Sequence, residues 1–245
     1  ELINRGRYGG PDARLGAASY NLVCKAAPGR PAAFTFCMCP GGRIVASINE
    51  PGHLCTNGMS NSRHSSAWAT SAVVTTWGPR EFGDSAFDGV AFQRRLERRF
   101  FDEGGGDYTA PAQTAADFLA GRLSSGLRHT TYPFGTRPAR LDLLLPEAGV
   151  RAIARALERF DAQLPGFGGP QGTFVGLESR SSGPLRMPRG REDRRALGFA
   201  NLYPVGEGAG YAGGIMSAAL DGARAALALV ASGRPDPDPS ASPRP

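Results

Sequence analysis

Residues 205–222 read VGEGAGYAGGIMSAALDG. They contain Gly208-Ala-Gly210-Tyr-Ala-Gly213, a G-x-G-x-x-G, and their reading decides the fold. Glycines at this spacing let a backbone approach an anionic ligand and adopt positive φ. The apolar run from Gly214 to about Ala231 predicts a helix, so the loop lies at a helix N-terminus. Such a terminus offers unpaired N–H groups and about half a positive charge. Asn201–Val205 (NLYPV) reads as a short strand before the loop. Strand, glycine loop and helix form the local order of a nucleotide site. A unit that opens a dinucleotide fold also needs a second strand, and an acidic residue about 20 residues past the glycines. The residues after this helix, Gly233–Pro245 (GRPDPDPSASPRP), offer neither and are predicted to be a disordered tail. Asp221 lies inside the helix. The competing reading is a glycine-rich turn that packs a helix closely on a sheet.

The composition narrows the class. A chain of 245 residues suits one large domain or two small ones. Lys25 is the single lysine among 28 basic residues. Arginine usage this one-sided, with abundant Ala, Gly and Pro, reflects coding bias, so the net charge of +6 does not point to nucleic acid. The clusters Arg94, Arg95, Arg98, Arg99 and Arg189, Arg191, Arg194, Arg195 have no interleaved aromatics and read as solvated faces. No nucleic-acid partner is expected. No apolar run approaches a membrane span, so no membrane partner is expected either. Glu1-Leu-Ile-Asn-Arg has neither an initiator Met nor a signal pattern and reads as the middle of a longer polypeptide. Four cysteines, Cys24, Cys37, Cys39 and Cys55, are sparse for a disulfide scaffold and point to a reducing compartment such as the cytoplasm.

Upstream, Ala33–Met38 and Arg43–Ile48 read as strands flanking a hairpin-like turn at Pro40-Gly41-Gly42, and Thr70–Trp77 as a third. A helix is predicted over 84–103, capped by Asp84 or Ser85, with Phe87, Val90, Ala91, Leu96 and Phe100 on one face. A second helix is expected to carry Pro111 in its first turn and stop before Gly121. Pro146 opens a third, whose stripe is Val150, Ile153, Ala154, Leu157, Phe160 and Leu164. Thr173–Glu178 reads as a strand. The order lacks strict βαβ alternation, which predicts α+β, or α/β with an inserted α+β domain.

Four stretches together resemble one family. They are FCMCPGG (Phe36–Gly42), TNGMS (Thr56–Ser60), VGLESRSSGPLRMPR (Val175–Arg189) and NLYPVGEGAGYAGGIMSAALDG (Asn201–Gly222). They resemble the FAD-dependent dehydrogenase-like proteins of bacteria and plastids, related to glutathione-reductase-type flavoproteins. The resemblance implies the C-terminal part of an FAD/NAD(P)-binding-type domain, with an inserted substrate-side domain. It implies FAD as cofactor, flavin-mediated hydride or electron transfer, and an unidentified small-molecule substrate or electron carrier. By resemblance, Gly206-Glu207 is the pair that contacts the cofactor's ribityl or phosphate region. Gly208, Gly210, Gly213, Gly214 and Ile215 bring the helix start to the flavin pyrimidine edge. The family's opening FAD fingerprint has no counterpart here, so the expectation is a C-terminal half. Residues 1–172 are then the substrate-side region, 173–232 the closing part of the FAD domain and 233–245 the tail.

Three candidate catalytic residues follow. Cys37 and Cys39 are open to three readings: packing in a strand and turn, a thiol facing flavin or substrate, or a zinc site with His53 and Cys55. Arg180 either faces an anionic substrate or the flavin, or is a surface loop residue. No metal is expected. The rival to the enzyme reading is a non-catalytic remnant or interaction module that does not bind FAD alone.

Overall fold

The computed structural model describes residues 21–64 and 66–233. The expected tail from residue 234 onward lies outside the described residues. The chain forms two compact units. The first holds residues 21–84 and Ala91–Ser179, and the second holds Ser85–Val90 and residues from Arg180 onward.

The first unit mixes helices with three small sheets. Strands β1 (Val23–Cys24), β2 (Ala33–Pro40) and β5 (Ala69–Thr75) form an antiparallel sheet in the order β1-β2-β5. Strands β3 (Arg43–Ala46) and β4 (Thr56–Met59) pair with each other. The turn predicted at Pro40–Gly42 is present, with Gly41 at φ 60 and Gly42 donating to the Cys39 carbonyl at 3.0 Å. It is not a hairpin. It hands the chain from β2 in one sheet to β3 in another, because β2 finds its partners in β1 and β5.

The third sheet runs β7-β6-β8, from Thr136–Pro138, Ala110–Thr114 and Thr173–Val175; β6 is parallel to β7 and antiparallel to β8. The helix expected at Pro111 is therefore a strand. All five β6 residues are buried, and its position between two partners outweighs the helix-start signal of the proline. The helix begins later, as α3 (Ala115–Leu119) after the short α1 (Pro79–Phe82) and the long α2 (Asp88–Gly104). Thr114 caps α3 by accepting from the Asp117 N–H at 3.1 Å.

Helix α4 (Leu141–Leu144) leads into α5 (Glu147–Gln163); of its predicted stripe Ile153, Leu157 and Phe160 are buried, Val150 and Ala154 are half-buried, and Leu164 is the C-cap. Ala152, Ile153, Ala156, Leu157 and Phe160 are buried at 3–4 spacing. Pro146 is the N-cap, and Glu147 complements the helix start. Gly149 is on α5 because a Cβ there would lie 2.2 Å from the Trp77 ring. Phe100, Phe160, Leu54 and Leu157 are the largest apolar side chains with almost no exposure. Burying each such side chain favours folding by roughly 1.5–3 kcal/mol.

The second unit contains α6 (Ile215–Ala231), where the sequence predicts it. The strand expected at Asn201–Val205 does not form. That segment is irregular and has no ladder partner among the described residues. It is held by other bonds. Leu202 carbonyl accepts from the Ala196 N–H at 2.8 Å, and Pro204 carbonyl from Arg189 at 2.5 Å. Residues Thr173–Val175 belong to the first unit, and the second gathers from Arg180. No helix among the described residues is long and apolar enough to cross a membrane.

Candidate functional site

The glycine loop of the second unit is anchored from beneath by one carboxylate. Asp221, on α6, is 8% exposed. Its oxygens accept from Arg189 Nη1 at 2.9 Å and Nη2 at 2.6 Å, from Arg194 at 3.1 Å, and from the Gly206 N–H at 3.0 Å. Hydrogen bonds from the Arg189 guanidinium hold the Asp221 carboxyl down at about 2. Gly206 takes φ 70 and Gly210 φ 79. The turn closes through Gly210 N–H to Glu207 carbonyl at 2.8 Å and Tyr211 N–H to Gly206 carbonyl at 3.0 Å.

Segment 181–187 backs this loop. A Cβ on Gly183 would lie 2.4 Å from the Glu207 carbonyl oxygen, and one on Gly210 2.4 Å from that of Leu185. Tyr211 stacks on the Arg189 guanidinium, 3.6 Å from ring centroid, and its hydroxyl donates to Met187 carbonyl at 2.9 Å. Several glycines therefore serve close backbone packing within the protein. Gly208 differs. It is exposed, and a Cβ there would meet nothing within 4 Å. Gly214 caps α6, its N–H donating to Ser217 Oγ at 3.2 Å. The first-turn N–H groups of Ile215, Met216 and Ser217 are the donors that a helix start leaves unpaired. Arg180 opens the same unit and precedes Ser181, whose carbonyl oxygen is 3.1 Å from a Cβ built on Gly213.

The first unit brings FCMCPGG and TNGMS together. From Phe36 to Cys39, β2 carries one residue more than its partner from Ala72 to Thr70, a β-bulge. Cys37 occupies the bulge at φ 47, a left-handed conformation that disfavours a side chain. A Cβ on Gly58 would lie 3.0 Å from Thr70 Oγ1, 3.5 Å from the Cys37 carbonyl oxygen and 3.7 Å from Cys39 Sγ. Cys39 thus presents its thiol to β4, whereas Cys37 presents its backbone. By register Phe36 and Cys39 share a face of β2, and Cys37 follows Phe36 onto the other. Ser60 and His64 both hydrogen-bond the Pro40 carbonyl, at 3.2 and 2.9 Å, and fasten the turn. Cys37→Gly is expected to stabilise the fold by up to about 1 kcal/mol, measured by chemical denaturation, because glycine relieves the left-handed backbone. A loss of stability contradicts the strain at Cys37.

The zinc reading finds no support. Cys55 is buried, His53 Nδ1 lies 3.0 Å from the Pro51 carbonyl, and no described cluster of His, Cys, Asp or Glu is placed to hold a metal ion.

Sequence reasoning missed the anchoring role of Asp221 and the buried carboxyl oxygen of Glu178. A lone Asp in the apolar run SAALDGARAALALVA was the available signal for the first. Glu178 follows β8, and its Oε1 is buried with no hydrogen-bond partner among the described residues. Burial pushes its carboxyl up to about 7.

A family model described as FAD-dependent protein, C-terminal domain-like, matches residues 1–181. An uncharacterised protein of Clostridium beijerinckii (strain ATCC 51743 / NCIMB 8052) is 38% identical over 235 residues, which is 94% of this chain and 44% of the relative. The chain thus spans less than half the length of that relative. On the match over residues 1–181, the chain belongs to the FAD-dependent protein C-terminal domain-like family.

Proposed function

We propose that this chain is the C-terminal part of an FAD-dependent oxidoreductase, whose substrate-side region is the first unit and whose closing contact on the cofactor is the Gly206–Ile215 loop. The observation that carries this reading is the open backbone at Gly208, one loop away from the unpaired N–H groups that start α6. An anionic or electron-rich ligand edge is favoured there by about 0.3–1 kcal/mol. The residues fit FAD in kind. Gly208 leaves room, Glu207 stands beside it to accept from ribityl hydroxyls, and the Asp221–Arg189 pair fixes the loop. When bound, the flavin supplies hydride or electron transfer. The chain's own part is to orient it through the loop.

The exposure of α6 supports a longer functional polypeptide. Ile215, Met216, Leu227 and Val230 are 90%, 80%, 69% and 78% exposed, a surface that in water calls for a covering partner. The cofactor site is accordingly assigned to the chain joined to the rest of its polypeptide. Gly208→Val tests the loop. It is expected to remove flavin absorbance from the joined protein and to leave the thermal midpoint close to that of the parent stripped of flavin. Retained flavin refutes the contact. Gly213→Val is a poorer probe, because its side chain also meets Ser181 and Ser182. A joined protein that folds without flavin favours an interaction module instead.

A further inference from the structure

We propose that Arg186 binds the diphosphate of a dinucleotide at the glycine loop. The inference deepens the flavoprotein reading above and rests on it for one source of that diphosphate, FAD.

Every group concerned lies in the second unit. From Arg180 to Asp221 the sequence carries six arginines against four carboxylates. Arg189 and Arg194 both pair with Asp221, and Arg195 Nε lies 3.5 Å from Asp193 Oδ2. Arg186 is held differently. Its Nε donates to the Gly210 carbonyl at 3.1 Å, and its Cζ lies 4.7 Å from the centroid of the Tyr211 ring. Its backbone is fixed as well, since a Cβ on Gly210 would lie 2.9 Å from Arg186 Cα. Yet no carboxylate pairs with it, and Nη1 and Nη2 meet no protein acceptor among the described residues. The Tyr211 ring thus carries two guanidiniums, Arg189 and Arg186. Asp221 balances the charge of Arg189, and nothing in the chain balances that of Arg186.

A guanidinium held by its Nε and its flat face keeps its outer fork for a partner. That fork matches two oxygens of a phosphate or a carboxylate. The loop supplies further donors. The N–H groups of Gly208 and Ala209 reach no protein acceptor among the described residues, although Ala209 is only 4% exposed. A buried amide needs an acceptor, and an anion seated on the loop brings one. A single carboxylate has two oxygens, which the arginine fork alone would occupy. Two linked phosphates have enough to meet the fork and the loop amides together. Gly208 leaves the space for them, because a Cβ there would meet nothing within 4 Å. Both FAD and the nicotinamide dinucleotides carry this group.

Inorganic pyrophosphate is the first probe. It is titrated into this chain at constant ionic strength, while NMR follows the Gly208, Ala209 and Gly210 amides and the Arg186 Nε–H. Saturable shifts at these groups, weakened roughly tenfold or more in Arg186→Gln, support the proposal. The same spectra show that each variant is folded. Arg191→Gln, at an exposed arginine of the same unit, is expected to leave the response intact. Arg186→Lys keeps the charge without the fork and is expected to recover only part of the affinity. No saturable shift, or equal shifts in the parent and in Arg186→Gln, overturns the proposal. The joined protein then separates the two sources. FAD lost roughly tenfold more readily from Arg186→Gln assigns the diphosphate to FAD. Unchanged FAD with weakened NADH binding assigns it to a nicotinamide dinucleotide, and both unchanged overturns the proposal. Failure of the flavin reading appears separately, as a colourless joined parent whose pyrophosphate response is intact.

Discussion

Replacing Asp221 with alanine is expected to destabilise the second unit by on the order of 3 kcal/mol. The Arg189 side chain is 4% exposed and pairs with Asp221 through two nitrogens. Removing the carboxylate leaves that guanidinium buried and uncompensated. It also frees the Gly206 N–H, the first fixed point of the glycine loop. Denaturant unfolding and hydrogen exchange at Gly206 measure both effects. Because the Asp221 carboxyl is held below its ordinary 3.8, at about 2, its contribution is present above about pH 4. It is lost as pH falls towards 2. An alanine variant with unchanged stability and a protected Gly206 N–H contradicts the anchoring role.

Gly210→Val carries the second-largest expected effect, a loss of on the order of 2–4 kcal/mol. Two causes combine. The residue sits at φ 79, which a β-branched side chain strongly resists. Its Cβ would also lie 2.4 Å from the Leu185 carbonyl oxygen and 2.9 Å from Arg186 Cα, both backbone atoms that cannot swing aside. The loop must then part from segment 181–187. Melting temperature and protease sensitivity around residues 181–214 report the change. A native-like Gly210→Val variant refutes the close packing. The contrast with Gly208→Val separates glycines that build the loop from the glycine left open beside it.

How much the sequence disclosed depended on whether a signal was local. The α5 stripe and the α6 start are set by side chains a turn apart, so spacing alone located them. Strand β6 was misread because its burial comes from β7 and β8, which lie far from it in sequence, while Pro111 imitated a helix start. Asn201–Val205 has strand composition but no neighbour to pair with among the described residues, and composition alone builds no ladder. The Pro40–Gly42 turn was legible, yet where it led was not, because pairing of β2 with β5 is a long-range choice. In the candidate site, the glycines announced themselves. The division of labour among them did not, since it depends on which backbone faces each one. Cys37 and Cys39 read as a pair because they are two residues apart. The bulge separates them, and no spacing rule encodes a bulge.

We propose that the Gly206–Ile215 loop closes a flavin site in a longer polypeptide, and the visible spectrum of the purified protein, joined to the rest of its polypeptide, tests it. Flavin bands at about one FAD per chain are expected, weak or absent in this chain alone and lost in a folded Gly208→Val variant. A well-folded, colourless joined protein, or a Gly208→Val variant that keeps its flavin, overturns the proposed contact.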